Sequence, residues 1–366
     1  MERSDFIKIA GAGLAAGSLA LTGCSKKEST SGSTSQKKFR WRMGMVVPKN
    51  LPIWGPGMVN FAKRVKLMSN GRLDIKVYGA GELFPALQVF DAVKKGTVEM
   101  GHSAAYYWRG KLPASVFFTS VPFGMNANGM NAWLGAGGGQ ELWDELYSTH
   151  NLKALPCGNT GVQMGGWFRK EMNTIADFKG LKMRMPGLGG AVIEKAGAVP
   201  QQIAGGEIFT NLQTGVIDAT EWVGPYHDYI MGFHKVAKYY YSGGWHEPGS
   251  VLELMINKEK WDSLPEDLQM IVKNCAAYTN MEMFNQWMAK DSEYFAKIKN
   301  EGKVTIKEYP LEITSQMKKY AKEILAEVAK SGPLAKKIHD SFMSFQQTYE
   351  NYQEASERAY VRAQKS

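Results

Sequence analysis

The residues that could carry out catalysis are sparse in this sequence and lack the spacing that catalysis requires. Gly101-His102-Ser103-Ala104-Ala105 matches half of a nucleophile elbow, because the closing glycine is missing. The six histidines show no H-E-x-x-H spacing, so they do not predict a zinc site. The glycine runs at 135–139 and 187–190 lack a phosphate-loop lysine and a dinucleotide-binding fingerprint, and we interpret them as turns and helix starts.

Three other stretches are richer in chemical groups, at 161–169, 179–186 and 218–226, with Gln163, Arg184 and Glu221 among their polar residues. These stretches resemble the periplasmic binding proteins of tripartite ATP-independent periplasmic (TRAP) transporters. They are most similar to the subgroup that binds 2-oxo acids together with a cation. The resemblance extends over the chain from about Phe39 and includes the run Gly243-Gly244-Trp245-His246-Glu247-Pro248.

The resemblance implies an α/β, two-lobed periplasmic binding protein fold with a hinge and a long C-terminal helix. Lobe I is expected to contain 39–159 and 250–295, and lobe II 160–249 and 296–333. The implied function is capture of a small 2-oxo or 2-hydroxy monocarboxylate with a cation, followed by delivery to TRAP membrane subunits, without catalysis of a reaction.

The resemblance also assigns the residues that hold the acid. Arg184 is expected to bind the substrate carboxylate, with Tyr106 and Asn159 contacting the substrate. The chemistry suits Arg184, because a planar guanidinium matches a carboxylate with two parallel hydrogen bonds and stays charged when enclosed. Without the resemblance, a lone arginine before a proline at a strand end is usually a surface ion-pair residue.

A cation site follows from the same resemblance. Gln163 and Glu221 are expected to offer side-chain oxygens, and Trp222 its backbone carbonyl, with the substrate completing the shell. All-oxygen ligation suits Na⁺ or Ca²⁺. A single carboxylate supplies little negative charge, which favours sodium. Glu221 is alternatively a helix-capping residue.

Two other functions remain open at this stage. Glu221 and Arg184 could abstract a proton beside a carbonyl, which would make the protein a lyase or hydrolase. The chain could also be a ligand-sensing lipoprotein that signals to a receptor.

The N-terminal segment predicts export. Arg3 and Lys8 precede a small, apolar stretch at 9–21 that ends in Leu-Thr-Gly-Cys, which is typical of a signal peptide at 1–23. Cys24 resembles the lipidated cysteine of bacterial lipoproteins, and the polar residues 24–38 resemble a flexible tether. We therefore expect a periplasmic protein that is lipid-anchored through Cys24.

Composition adds few constraints. Hydrophobic residues make up 44% and charged residues 22%, as in a globular chain. The net charge is +9, but no nucleic-acid-binding motif accompanies it, so we expect no nucleic acid partner. Cys157 and Cys275 are interpreted as isolated core residues, with a disulfide as the alternative.

The elements that must position the site follow from periodicity. Alternation predicts strands at 39–47 and 73–77, with a loop containing Gly55, Pro56 and Gly57 and a helix from Met58 to Met68 between them. A strand–helix–strand unit implies a parallel sheet. Residues 263–300 are predicted to be helical, with Ser263 and Glu266 as a capping box.

The tail at 334–366 carries apolar residues at heptad spacing, beginning with Ile338 and Phe342 and continuing through Phe345, Tyr349 and Tyr352. One interpretation is a terminal helix folded on its own lobe. The other is an arm packed on a second subunit, which predicts a homodimer through the C-terminal helix.

Overall fold

A computed structural model describes residues 37–365. These residues form two β-sheets surrounded by helices, which confirms the predicted α/β class. The predicted signal peptide and Cys24, and the tether up to residue 36, lie outside the described residues. None of the helices in the described part of the chain is long and apolar enough to cross a membrane.

The described strands are short, and we number them in chain order. They are β1 Phe39–Met45, β2 Leu73–Tyr78, β3 Met100–Ser103, β4 Leu152–Asn159, β5 Gly166–Phe168, β6 Lys182–Arg184, β7 Val199–Gln201, β8 Ala219–Thr220, β9 Tyr239–Tyr241, β10 Val251–Asn257 and β11 Thr305–Lys307.

The α-helices are numbered in the same way. They are α1 Trp54–Met68, α2 Val89–Lys94, α3 Ala127–Ala136, α4 Gly139–Ser148, α5 Gly187–Lys195, α6 Ile208–Thr214, α7 Pro225–Ile230, α8 Lys258–Asp262, α9 Glu266–Glu301, α10 Leu311–Ala329, α11 Pro333–Ala355 and α12 Glu357–Gln364.

The first sheet has the strand order β2-β1-β3-β10-β4. Strands β2, β1 and β3 are parallel, and β10 runs antiparallel between β3 and β4. In β1, Phe39, Trp41 and Met43 are buried while Arg40 and Arg42 are exposed, as the period of two in the sequence predicted. The apolar face of α1 covers this sheet through Met58, Phe61 and Val65.

The second sheet has the order β11-β9-β5-β8-β6-β7. Its strands β6 and β8 are parallel neighbours, with Arg184 opposite Thr220. The C-terminal ends of the two strands therefore lie at the same edge of the sheet, and Arg184 is brought next to Glu221, which follows β8 directly.

The backbone crosses between the sheets along two segments that lie side by side, 160–165 and 242–250. The amide of Gln163 donates to the carbonyl of Glu247 over 3.1 Å, and the amide of Gly244 donates to the carbonyl of Gln163 over 3.0 Å. Helix α9 forms a third connection, because it packs against α1 and β4 and also against α7. Side chains on the crossing segments are consequently held between both sheets.

The two C-terminal helices pack first on their own chain. Helix α11 contacts α10, α3 and α4, and it buries Ile338 and Phe342. Further along, Tyr352 and Tyr360 are exposed. The interpretation of a helix folded on its own lobe therefore describes α11 as far as Tyr349, and two aromatic side chains beyond it, Tyr352 and Tyr360, are exposed.

Two predictions about local structure are wrong. Helix α1 begins at Trp54, so Gly55, Pro56 and Gly57 lie in its first turn, where proline has no intrahelical partner to lose. The expected capping box is absent because Pro265 precedes α9, and the Ser263 hydroxyl instead donates to the Lys260 carbonyl. The long C-terminal helix is confirmed as α11, and the short helix α12 follows it after a break at Ser356.

The two cysteines on the described chain are free and buried. The Cys157 thiol lies 4.0 Å from the sulfur of Met58, and the Cys275 thiol lies 3.6 Å from that of Met68. The interpretation as isolated core residues agrees with these contacts.

Candidate functional site

Arg184 lies at the end of β6 and its side chain is fully buried. One guanidinium nitrogen, Nη1, donates to the Glu221 carboxylate and, over 3.2 Å, to the Glu221 carbonyl oxygen. Nε donates to the Ile203 carbonyl over 3.3 Å, and Nη2 donates to the Tyr107 hydroxyl over 3.3 Å. The interpretation as a surface ion-pair residue is wrong, because Arg184 is an interior cation held on several sides.

The electrostatic surroundings keep this cation charged. Burial by itself would lower the pKa of Arg184, but the carboxylate of Glu221 and then the nearby Tyr107 raise the pKa above its ordinary value. A buried charge of this kind is stable only with partners of opposite charge. The site is therefore prepared to accept an anion or to retain Glu221 as its counter-ion.

Among the described residues, neither Tyr106 nor Asn159 forms a hydrogen bond with this guanidinium, although Tyr106 is near enough to contribute to the raised pKa of Arg184. Burial and the neighbouring carboxylate of Glu247 raise the pKa of Tyr106, which places its ring in the negative part of the site. The ring of Tyr106 meets that of Tyr107 edge to face at 4.8 Å. Asn159 is buried at the end of β4, and its amide nitrogen has no hydrogen-bond partner among the described residues.

Gln163 lies on the first crossing segment and is buried. Its amide nitrogen donates to the Glu247 carboxylate over 2.7 Å and to the Thr160 hydroxyl over 3.2 Å. Its amide oxygen has no partner within the described chain. An unpartnered buried oxygen is costly, so it indicates a ligand that donates or coordinates there.

Two carboxylates and one imidazole complete the site. Oxygen or nitrogen atoms of Glu221, His246 and Glu247 all lie within 4.8 Å of one another, and the three residues are buried. His246 Nε2 is 3.3 Å from Oε2 of Glu221. Burial first, and then the Glu221 carboxylate, raises the pKa of Glu247. Two enclosed carboxylates repel each other, and a cation between them would remove that repulsion.

These residues fit a hard cation. The donor set contains carboxylate and amide oxygens, which Na⁺ and Ca²⁺ prefer. The unpartnered oxygen of Gln163 belongs to the same side-chain amide whose nitrogen donates to Glu247, so it lies close to that carboxylate. The sequence-based argument for sodium counted only one carboxylate. Because the structure supplies two, the charge count no longer favours the monovalent ion.

Trp222 follows Glu221 and contributes its ring as well as its backbone. The guanidinium carbon of Arg184 lies 4.9 Å from the centre of the Trp222 ring, which is a cation–π contact. The capping alternative for Glu221 is not observed, because α7 begins at Pro225 after Gly224 and has no side-chain cap.

Sequence reasoning missed Tyr107 and Glu247. Tyr106 and Tyr107 are adjacent in the sequence, and the sequence does not show which of the two side chains points towards Arg184. In the structure it is Tyr107. Glu247 lies in the run that carried the resemblance, but its contact with Gln163 spans 84 positions. The local sequence around Glu247 shows a glutamate two residues after a tryptophan in a glycine-rich run. This pattern does not indicate that Glu247 would contact Gln163.

Comparisons with known proteins agree on one family. Residues 43–331 match the family described as bacterial extracellular solute-binding protein, family 7. Among curated proteins, the chain is 41% identical over 360 residues to a monocarboxylate 2-oxoacid-binding periplasmic protein from Nostoc sp., covering 98% of each chain.

Two solved structures are similar over most of their length. One is a TRAP periplasmic solute-binding protein from Pseudoalteromonas atlantica with bound sodium and pyruvate: TM-score 0.87, 43% identity, covering 89% of this chain and 99% of that one. The other is from Colwellia psychrerythraea with bound calcium and pyruvate: TM-score 0.87, 43% identity, covering 89% of this chain and 100% of that one. The similarity confirms the predicted periplasmic binding protein fold.

Proposed function

The chain belongs to family 7 of the bacterial extracellular solute-binding proteins, and from this premise we propose that it captures a small 2-oxo or 2-hydroxy monocarboxylate together with a cation and delivers it to TRAP membrane subunits. The observation that carries the proposal is the fully buried Arg184, which lies at the sheet edge beside two carboxylates and an unpartnered amide oxygen. The similar structures that hold pyruvate with sodium or with calcium support the same ligand class.

We propose that the polar groups of the site divide into two sets, one that binds the cation and one that binds the acid. In the structure Arg184 is paired with Glu221. A cation bound by Glu221, Glu247, Gln163 and the Trp222 carbonyl would neutralise the carboxylates and leave the guanidinium fork available to the carboxylate of the acid. The 2-oxo or 2-hydroxy oxygen would then lie towards the cation as part of a chelate. Tyr106, Tyr107 and Asn159 would line the remaining wall.

The ion pair weighs against the alternative of a lyase or hydrolase. The Glu221 carboxylate accepts hydrogen bonds from Arg184 and lies next to His246. A general base needs a free lone pair directed at the substrate proton, and this carboxylate is engaged by a cationic group.

The experiment is a calorimetric titration of pyruvate in buffers that contain Na⁺, Ca²⁺, or a large organic cation with chelator. We expect binding in one or both of the first two and none in the third. Glu247→Gln is expected to weaken pyruvate binding at least tenfold, because it removes one negative ligand from the cation. Glu253→Gln, which changes a buried carboxyl bonded to Trp108 and Tyr147 and absent from this cluster, is the matched control.

Pyruvate binding of equal strength without Na⁺ or Ca²⁺ would contradict the cation site. Proton NMR of the same samples after a day should show pyruvate unchanged, and conversion to another compound would support the enzymatic alternative.

We propose the lobe division predicted from the sequence, with the crossing segments and α9 as the hinge. The strands of the first sheet fall within 39–159 and 250–295, and those of the second within 160–249 and 296–333, which supports these boundaries. Binding in the polar cluster between the sheets would favour a closed arrangement over an open one.

We further propose that the protein is periplasmic with a lipid anchor at Cys24 and dimerises through its C-terminal helices. The exposed residues Tyr352, Tyr360 and Val361 support an apolar contact surface there. The family description as extracellular supports the location.

A further inference from the structure

The ring of Trp222 has a second aromatic neighbour in addition to the guanidinium of Arg184. It stacks on the ring of Trp54, with centroids 6.3 Å apart and planes inclined by 18°. Such offset stacking is a favourable arrangement of two aromatic rings. Trp222 follows β8 of the second sheet, whereas Trp54 is the first residue of α1, which covers the first sheet. The stack therefore joins the two sheets directly beside the anion-binding cation.

Trp54 is itself held in a defined orientation. Its indole Nε1–H donates to Nδ1 of His102 over 2.8 Å, and His102 Nε2 lies 3.0 Å from the carbonyl oxygen of Cys157. An indole N–H can only donate, so Nδ1 must accept, and Nε2 must carry the proton that is donated to Cys157. The contacts with Trp54 and Cys157 thus both require the neutral tautomer of His102 that is protonated on Nε2.

The surroundings of His102 keep it in that state. The side chain is fully buried, and burial lowers the pKa of His102 to about 4. No acidic or basic group contributes to that change, and the imidazole is bounded by the strands β3 and β4 and by α1. At neutral pH the imidazole is therefore a fixed acceptor for Trp54 and not a general base or nucleophile partner.

Close packing leaves Trp222 little freedom. A Cβ atom at Gly205 would lie 2.3 Å from Cη2 of Trp222, so the backbone of Gly205 is in close contact with the end of the indole ring. Because Gly205 blocks one end of the Trp222 ring, the position of that ring beside Arg184 depends on the face of the Trp54 ring against which it stacks. Trp54 also meets the ring of Trp287 edge to face at 6.4 Å, which supports it from behind.

We propose that Trp54, oriented by His102, is a positioning residue for anion binding, which sets the place of the Trp222 ring and through it the Arg184 guanidinium. The inference rests on the proposed function, because the anion is the one that Arg184 would bind. It assigns a role to the Gly101-His102-Ser103 stretch that differs from the nucleophile elbow considered from the sequence.

The test is a double-mutant cycle on pyruvate binding, measured by calorimetry in the cation that supports binding by the parent protein. Trp54→Leu removes the stacking ring and is expected to weaken pyruvate binding about two- to tenfold, as for other aromatic pairs. In a Trp222→Leu background the same change should have no further effect, because the ring through which Trp54 acts is gone. Equal effects of Trp54→Leu in the two backgrounds would overturn the proposal.

A second series tests the role of His102 independently. His102→Phe keeps a ring of similar size but leaves the indole N–H without an acceptor, so it should weaken pyruvate binding as Trp54→Leu does. His102→Asn restores an acceptor near the position of Nδ1 and should recover most of the affinity. Equal affinity in His102→Phe and the parent, or equal loss in both variants, would contradict an orienting role.

The control separates positioning from general stability. Tyr147→Phe removes a buried hydrogen bond to Glu253, and the Tyr147 ring contacts Phe90 and Trp143 instead of the stack. It should lower the melting temperature while leaving the affinity for pyruvate unchanged. Failure of the parent protein to bind pyruvate with any cation would defeat the proposed function. Parent-like binding in both Trp54→Leu and His102→Phe would defeat only the positioning role.

Discussion

The central residue of the site is a cation that could not be buried alone. Moving an arginine side chain from water into a protein interior costs several kcal/mol, which its partners must offset. In this chain the partners are the Glu221 carboxylate, two backbone carbonyls, the Tyr107 hydroxyl and the Trp222 ring. Because only one partner is anionic, exchange of Glu221 for a substrate carboxylate would keep the charge balanced.

Substitutions at Arg184 should separate charge from geometry. We expect Arg184→Ala to abolish pyruvate binding and to destabilise the protein by about 3–5 kcal/mol, since it leaves Glu221 buried without its partner. Arg184→Lys keeps the charge but loses the planar fork, so binding should weaken by more than about tenfold. Calorimetry measures the affinity, and chemical denaturation measures the free energy of unfolding.

The matched control is Arg169→Ala, because within residues 37–365 the Arg169 guanidinium donates to the carbonyls of Leu212 and Gln213 and to no residue of the site. Its affinity for pyruvate should equal that of the parent. An Arg184→Ala variant that still binds pyruvate at parent strength would contradict the assignment.

At the scale of elements, two contacts show how strands and helices are fixed around the site. Strand β10, in the first sheet, carries the buried Glu253, which accepts hydrogen bonds from the Trp108 indole and the Tyr147 hydroxyl, both at 2.6 Å. Helix α11 inserts Phe342 between Phe117, at 5.5 Å, and Trp133, at 5.1 Å between ring centres. The first contact involves a titratable group, whereas the second depends on packing alone.

Glu253 should make stability depend on pH. Burial raises the pKa of Glu253 to about 7, although its two hydrogen bonds act in the opposite direction. The folded protein therefore keeps a proton that the unfolded chain releases above its ordinary pKa of about 4.5. The contribution of this proton is complete below pH 4.5 and is lost as the pH rises through about 7.

We expect the melting temperature of the parent to fall between about pH 4.5 and about pH 7, and the fall to be smaller in Glu253→Gln, which does not ionise. Asp228, whose pKa burial also raises to about 7, accounts for part of the remaining slope. Glu82→Gln, at an exposed carboxylate paired with Lys49, is the control and should leave the slope unchanged. Identical slopes in the parent and Glu253→Gln would show that Glu253 is ionised throughout.

Phe342 should be required for the stability of the folded chain. Phe342→Ala leaves a cavity between Phe117 and Trp133, and we expect a loss of about 3–5 kcal/mol in the free energy of unfolding. Tyr352→Ala, ten residues further along α11 and 67% exposed, should change it by less than about 0.5 kcal/mol. Chemical denaturation of both variants measures the difference. Similar losses in the two would contradict the packing described for α11.

For the whole molecule, the arrangement of the C-terminal helices limits how a second copy could bind. The apolar face of the first half of α11 is covered by α3, α4 and α10, so that face is not open to a partner. A groove of about 530 Å³ lies between residues 124–126 and the helices α11 and α12, and Val361 lies both at its edge and among the exposed apolar residues. A dimer through the tail would therefore use the part beyond Tyr349.

Light scattering can test this arrangement. We expect the parent to have the mass of a dimer and a chain ending at Ala355 to have that of a monomer, because the shortened chain lacks Tyr360 and Val361 but keeps Phe342 in place. Tyr360→Ser with Val361→Ser should act in the same direction without shortening the chain. Equal masses for all three proteins would contradict dimerisation through the tail.

Local structure was determined largely by the sequence itself. The alternation of Leu73, Ile75 and Val77 predicted β2, and the apolar spacing from Met58 to Met68 predicted most of α1, because backbone periods of 2 and 3.6 depend on neighbouring residues only. Predictions failed where a proline changed the boundary, as at Pro56 and Pro265. Motif resemblance likewise identified Arg184, Gln163 and Glu221, which the structure brings to one site.

Only the tertiary structure decided which groups meet. Gln163 contacts Glu247, and Trp54 reaches both His102 and Trp222, through segments that are far apart in the chain. The choice between Tyr106 and Tyr107 depended on side-chain direction, and the second carboxylate depended on the two crossing segments lying side by side. Such contacts arise from how the sheets are connected and packed, and no local period of the sequence encodes that arrangement.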